Sequence, residues 1–181
     1  MKYQKLETAR LILRKFESSD LNFVFNHFKD SFVSRYLYDN EPPKNLAEAQ
    51  EILDWCIDLK SDHIRWCIML KENSKPIGTI GFQRYDNQNN SAEIGYDLLE
   101  SYSKMGIMTE VLKCIIEYGH KQFGLHRIHA SVAKNNLASN KFLKKNGFHL
   151  EGIIRDQYFF RGKYYDHNLL SYIHSEKANF I

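Results

Sequence analysis

Hydrophobic and polar positions along this chain switch between two periods. Alternation, the signature of half-buried strands, marks residues 8–16, where Leu11 and Leu13 share a face, and returns at 65–71, 76–85 and 93–99. Spacings of three and four take over between these stretches. Leu21, Val24, Phe25 and Phe28 predict a helix to about residue 29 with Ser18-Ser19-Asp20 as its cap, and Ile52, Leu53, Cys56 and Trp55 predict a second over 46–59. Met108, Val111, Leu112, Ile115, Ile116 and Phe123 give one buried face to a third, over 105–123. The strand 127–132 sets Ile128, Ala130 and Val132 on one side, another helix opens near Asn136, and strands 150–160 and 163–174 turn on Arg161-Gly162. Polar breakers at 39–43, 72–75 and 86–90 separate the elements. The predicted order is β-α-α-β-β-β-α-β-α-β-β, a mixed α/β sheet with helices on both faces. With no repeat, linker or low-complexity tract, one domain over 1–181 is expected.

Within that order, residues 92–148 carry the chemistry. A strand breaks at Glu100-Ser101-Tyr102-Ser103-Lys104-Met105-Gly106, a helix follows, and a second strand and a helix start rich in Asn come next. The first N–H groups of such a helix have no partner inside it and point toward the carboxyl ends of the strands, so dipole and geometry together make an anion site. Phosphate or pyrophosphate is the natural occupant. Gly106 is the residue in the turn that supplies backbone freedom.

Composition narrows the class. At 181 residues, 43% apolar and 26% charged, the chain can bury a sizeable core as a globular domain. No apolar run reaches the roughly 20 residues that span a bilayer, and the start lacks the apolar region of a signal peptide, so no membrane is implied and the cytoplasm is expected. Cys56, Cys67 and Cys114 are odd in number and unclustered, which reads as reduced core thiols. A net charge of +3 without a stripe of Lys, Arg and aromatics does not imply nucleic acid. His126 and His129, three apart on a strand, point to opposite faces, so no metal is expected there. Lys141, Lys144 and Lys145 read as the wet face of a helix whose Phe142 and Leu143 face inward.

The runs Glu93-Ile94-Gly95-Tyr96, Gly106 to Glu110, Leu125 to Ile128, Asn136 to Ser139, Asn146-Gly147-Phe148 and Glu151-Gly152 resemble in order and spacing the GNAT superfamily of acetyl-CoA-dependent N-acetyltransferases. Within it the chain is most similar to the branch containing the ribosomal-protein N-terminal acetyltransferases. The likeness extends to Leu6–Arg14 and Gly162–Asp166, nearly the whole chain.

That resemblance implies a GNAT fold whose mixed, mostly antiparallel sheet is splayed between two central strands around acetyl-CoA. It implies direct transfer to a primary amine, with a protein N-terminus such as that of a ribosomal protein favoured. A small amine such as a polyamine, aminoglycoside or amino acid derivative is the alternative acceptor, and a non-catalytic acyl-CoA-binding module the alternative class. A homodimer is one admitted assembly. Pantetheine would run to Leu98-Leu99, and pyrophosphate would meet the turn Ser103, Lys104, Met105, Gly106, Ile107, Met108 and Thr109. The family usually has glycine where this chain has Lys104, which is either a phosphate contact or a solvated loop residue. Asn136 and Ser139 would meet the pantetheine amide and the sulfur, with Phe142 further along the same helix. The same pair also fits an ordinary N-cap with its N3 residue. Glu93 is the candidate general base or a plain strand carboxylate, Ser139 a candidate proton donor to the thiolate, and Tyr158 its rival or partner.

Overall fold

The computed structural model of the chain describes residues 3–58 and 62–174. Eight strands form one sheet in the order β1-β2-β3-β4-β5-β6-β8-β7. They are β1 (Leu6–Glu7), β2 (Leu11–Arg14), β3 (Ile64–Leu70), β4 (Pro76–Asp86), β5 (Ser91–Leu98), β6 (Arg127–Ala133), β7 (His149–Phe160) and β8 (Lys163–Ile173). Every pairing is antiparallel except β5 with β6. Among the described residues five α-helices flank the sheet: α1 (Leu21–Lys29), α2 (Ser31–Ser34), α3 (Leu46–Ile57), α4 (Ile107–Phe123) and α5 (Leu137–Lys145).

The alternation read in the sequence sorts the two faces. Trp66, Ile80, Phe82, Ile94, Ile128, Ala130 and Leu170 point to one side and pack with Val111, Leu112 and Ile115 of α4 and Leu143 of α5. Cys67 points to the other side and packs with Phe16, Val24 of α1, and Ala49, Leu53 and Cys56 of α3. Burial of this apolar area is the main drive to the fold. Gly119 lets α4 lie close on the sheet, since a Cβ there would come within 2.7 Å of the Phe82 ring.

The sheet parts in its middle. β5 meets β6 only where Ser91, Ala92 and Glu93 lie opposite Arg127, Ile128 and His129, whereas β4 stays paired to β5 as far as Leu98. From Ile94 onward β5 and β6 diverge, and the gap between them opens toward the start of α4.

Several expectations need adjustment. Residues 8–16 do not form one strand: Thr8 N bonds Leu11 O, and β1 folds back on β2 as a small hairpin. The one-turn helix α2, capped by Asp30, adds an element after α1. Asp20 does not cap α1, because its carboxylate is held by Arg14 Nη1 and Nη2 at 2.7 Å and by Glu17 N at 2.8 Å. α3 ends at Ile57, Leu59 lies outside the described residues, and Trp55 is exposed. α4 begins at Ile107 rather than 105, behind Gly106 in the left-handed region at φ 74°.

Candidate active site

A cleft of about 2080 Å³ follows the parting of β5 and β6. At one end stands the start of α4. Its first helical bond runs from Glu110 N to Gly106 O, so the N–H groups of Ile107, Met108 and Thr109 precede the bonded ladder. Its N-cap is Gly106, and among the described residues no side chain caps this end. The turn before it is held in place by Arg10, which donates to Met105 O at 3.0 Å and to Glu110 Oε2 at 2.7 Å. Lys104 occupies the left-handed region at φ 60°, the conformation glycine accepts most readily.

Lysines outnumber carboxylates around this half: Lys104, Lys113, Lys121, Lys141 and Lys145 line the cleft, with Glu117 paired to Lys121 at 2.5 Å. Lys141, Lys144 and Lys145 are exposed, as expected of the wet face of α5, and two of them border the cleft. The other half is acidic, with Asp39, Glu41, Glu48, Glu51, Glu93 and Asp97 outnumbering Arg35 and Arg65. A polyanion is favoured at the first end and a cation at the second. Exposed amides and lysines suit the phosphates of a nucleotide cofactor, and the groove along β5 suits its arm.

Between these ends, Asn136 caps α5 by accepting from Ser139 N at 3.1 Å. The Ser139 hydroxyl lies 2.6 Å from the Tyr96 hydroxyl, so the pair bridges α5 to β5 across the gap. Burial pushes the Tyr96 phenol up, and the Ser139 hydrogen bond pulls it partly back. Phe142 packs edge-on against the Tyr96 ring at 5.3 Å. The sequence pointed to Ser139 and Asn136 but passed over Tyr96, although it stands inside Glu93-Ile94-Gly95-Tyr96.

On the acidic half, alternation along β5 puts Glu93 and Asp97 on one face. Glu93 is buried and accepts from Gln83 Nε2 at 3.0 Å and Arg84 Nη1 at 2.7 Å. Arg84 sits at φ 53° where β4 bulges. Its guanidinium is raised above the ordinary range chiefly by the Glu93 charge, against partial burial, with Tyr158 adding to it. Asp97 is fully enclosed by His27 Nε2 at 2.5 Å, Arg65 Nη2 at 2.6 Å and the Thr79 N and Oγ1 groups. Burial would push its carboxyl up, but His27, Arg65 and Thr79 outweigh that and hold it at about 2.

β6 and β8 add two imidazoles. His129 lies 3.9 Å from Glu93, and burial pushes it below its usual range against the pull of that carboxylate. His167 lines the cleft beside the Tyr158 ring at 4.8 Å. The thiols are poor nucleophiles: burial pushes Cys56 and Cys67 up to about 12, opposed by Arg65 and Arg14 respectively.

Glu93, Leu98, Ser103, Lys104, Gly106, Met108, Thr109, Asn136, Ser139, Phe142 and Tyr158 therefore line one cleft. Three candidates do not. The Leu99 N–H donates to Ile77 O at 3.0 Å, Met105 is exposed with its carbonyl taken by Arg10, and the Ile107 side chain is core. Only the backbone of Met105 and Ile107 can meet a phosphate.

A cleft with a free helix start and lysines at one end and carboxylates at the other suits an anionic ligand beside a cationic one. Residues 10–149 match the family model described as "Acetyltransferase (GNAT) domain". The uncharacterized N-acetyltransferase YoaA of Bacillus subtilis (strain 168) is 35% identical over 170 residues, covering 93% of this chain and 96% of the relative. The ribosomal-protein-serine acetyltransferase of Escherichia coli (strain K12) is 34% identical over 105 residues, 58% of this chain and 59% of that one. Among solved structures, spermidine N-acetyltransferase from Vibrio cholerae in complex with CoA and spermine shares the fold, with TM-score 0.79 at 22% identity over 90% of this chain and 95% of that one. The chain belongs to the GNAT family. It is an acetyl-CoA-dependent N-acetyltransferase.

Proposed function

We propose that the chain acetylates a protein N-terminus by direct transfer from acetyl-CoA. The observation that carries this reading is the divergence of β5 and β6 after Glu93 and His129, which leaves one continuous groove from the lysine-rich start of α4 to the acidic half. At about 2080 Å³ the groove is about twice the upper end of the roughly 300–1,000 Å³ of a small-molecule site, which leaves room for a chain end beside the coenzyme. Relatedness to the ribosomal-protein-serine enzyme supports the same acceptor.

In this reading the amides of residues 105–109 and Lys104 hold the pyrophosphate, Leu98 and Asn136 flank the pantetheine, and Ser139, in contact with Tyr96, returns a proton to the departing thiolate. Glu93 draws the acceptor ammonium in by its charge. Tyr158, beside Arg84, walls that half. No cysteine intermediate is needed, since neither buried thiol is activated.

A second reading, a polyamine acceptor, is favoured by the acidic half itself, because its carboxylates suit a multiply charged amine. Release of free thiol from acetyl-CoA with a serine-starting peptide and with spermidine, followed by the mass of each product, separates the two. Faster peptide acetylation by tenfold or more upholds the N-terminal reading. The reverse order assigns the polyamine.

A further inference from the structure

We infer that His167 Nε2 is the proton acceptor for the incoming ammonium, so that the catalytic base is an imidazole on β8 rather than the Glu93 carboxylate. The inference deepens the function proposed above and rests on the acceptor entering the acidic half of the cleft.

His167 is 4% exposed and lines the cleft, yet its Nε2 has no hydrogen-bond partner among the described residues. A buried ring nitrogen left without a partner is costly unless a ligand supplies one. Its Nδ1 lies 3.0 Å from Ser131 Oγ. With that oxygen as acceptor, the ring proton resides on Nδ1 and Nε2 keeps the lone pair that can take a proton. Glu93 is placed differently: one of its oxygens accepts from Gln83 and the other is ion-paired with Arg84. His129 turns toward Glu93 and does not line the cleft.

The surroundings keep the imidazole neutral in the resting protein. Burial is the largest influence and pushes His167 below its usual range, while Asp39, Ser131, Glu93 and Asp166 pull the other way. Tyr158 of β7 faces the ring at 4.8 Å, and Tyr38, from the segment after α2, lies at 6.0 Å. Arg84 of β4 stands beyond, bound to Glu93. In the step itself an N–H bond of the ammonium breaks, its electron pair stays on nitrogen, and the proton bonds to Nε2. The imidazolium so formed is stabilised by Glu93 and Asp39 and releases its proton to solvent after the amide leaves.

The test uses the full chain, acetyl-CoA, and a serine-starting peptide and spermidine as probe amines. For the probe that the parent acetylates, His167→Gln should lower kcat/KM about 100-fold at pH 7, with the loss shrinking as pH nears the amine's own pKa. Acetyl-CoA affinity should stay within about twofold, and added imidazole should restore turnover to His167→Ala. An unchanged pH profile in His167→Gln overturns the assignment. Nitrogen-15 spectra of the His167 ring form an arm independent of turnover: a bare Nε2 with the proton on Nδ1 at pH 7 upholds the inference, and a protonated Nε2 overturns it. If the parent acetylates neither probe, the function reading falls, and the ring spectra alone decide His167.

Discussion

At the scale of single residues, two side chains here work against their own backbone or solvation. Lys104 holds φ 60° without being glycine, which costs about 1–2 kcal/mol. Lys104→Gly should therefore stabilise the protein by about 1 kcal/mol in urea unfolding. The same change should weaken acetyl-CoA several-fold at low salt and less at high salt, because a screened ammonium contact is lost. Equal affinity at low salt would leave the cradle to backbone amides alone. Asp97 offers the pH test. Its folded carboxyl is held at about 2, below its ordinary 3.8, so its contribution is complete above about pH 5, shrinks as pH falls through 3.8, and is gone below about 2. The window is worth roughly 2 kcal/mol. Asp97→Asn should flatten that part of the acid-unfolding curve and destabilise by about 3–5 kcal/mol at neutral pH, since Arg65 and His27 lose their shared partner.

At the scale of elements, the cleft depends on how two strands and two helix starts are tied together. Asn136→Ala removes the α5 cap and should cost about 1 kcal/mol in unfolding experiments. Tyr96→Phe leaves that cap intact but takes away the hydroxyl facing Ser139, and should lower kcat with little change in KM. A parallel fall in acetyl-CoA affinity would instead make Tyr96 a binding residue. Much of this arrangement was legible in the sequence because periodicity is local: Met108 through Phe123 fixed α4 within two residues of its start, and Asn136 with Ser139 fixed the start of α5. The long-range partners were not legible. Nothing near Glu93 announces that Arg84 leaves the ladder at a bulge to bind it, and nothing near Asp97 announces His27, 70 residues earlier. His167 was reachable in principle, since alternation from Tyr165 puts it on the same face, but its solitary Nε2 is a property of packing rather than of spacing.

For the whole molecule, the three-residue seam between β5 and β6 joins two half-sheets that the gap otherwise separates. Placed across that gap as proposed, acetyl-CoA should raise stability with the logarithm of its concentration, by about 2.7 kcal/mol at 100 times its dissociation constant. A thermal scan checks this, and no shift at millimolar acetyl-CoA would overturn it. The opposed charges along the cleft have a consequence for turnover as well. On the proposed reading a peptide's terminal ammonium is drawn to the acidic half as a cation, and acetylation turns it into a neutral amide, which removes that attraction. Spent coenzyme keeps every phosphate contact it had on arrival. On the proposed reading the amide is therefore expected to leave first and the coenzyme to linger, so that free coenzyme should inhibit more strongly than the acetylated product.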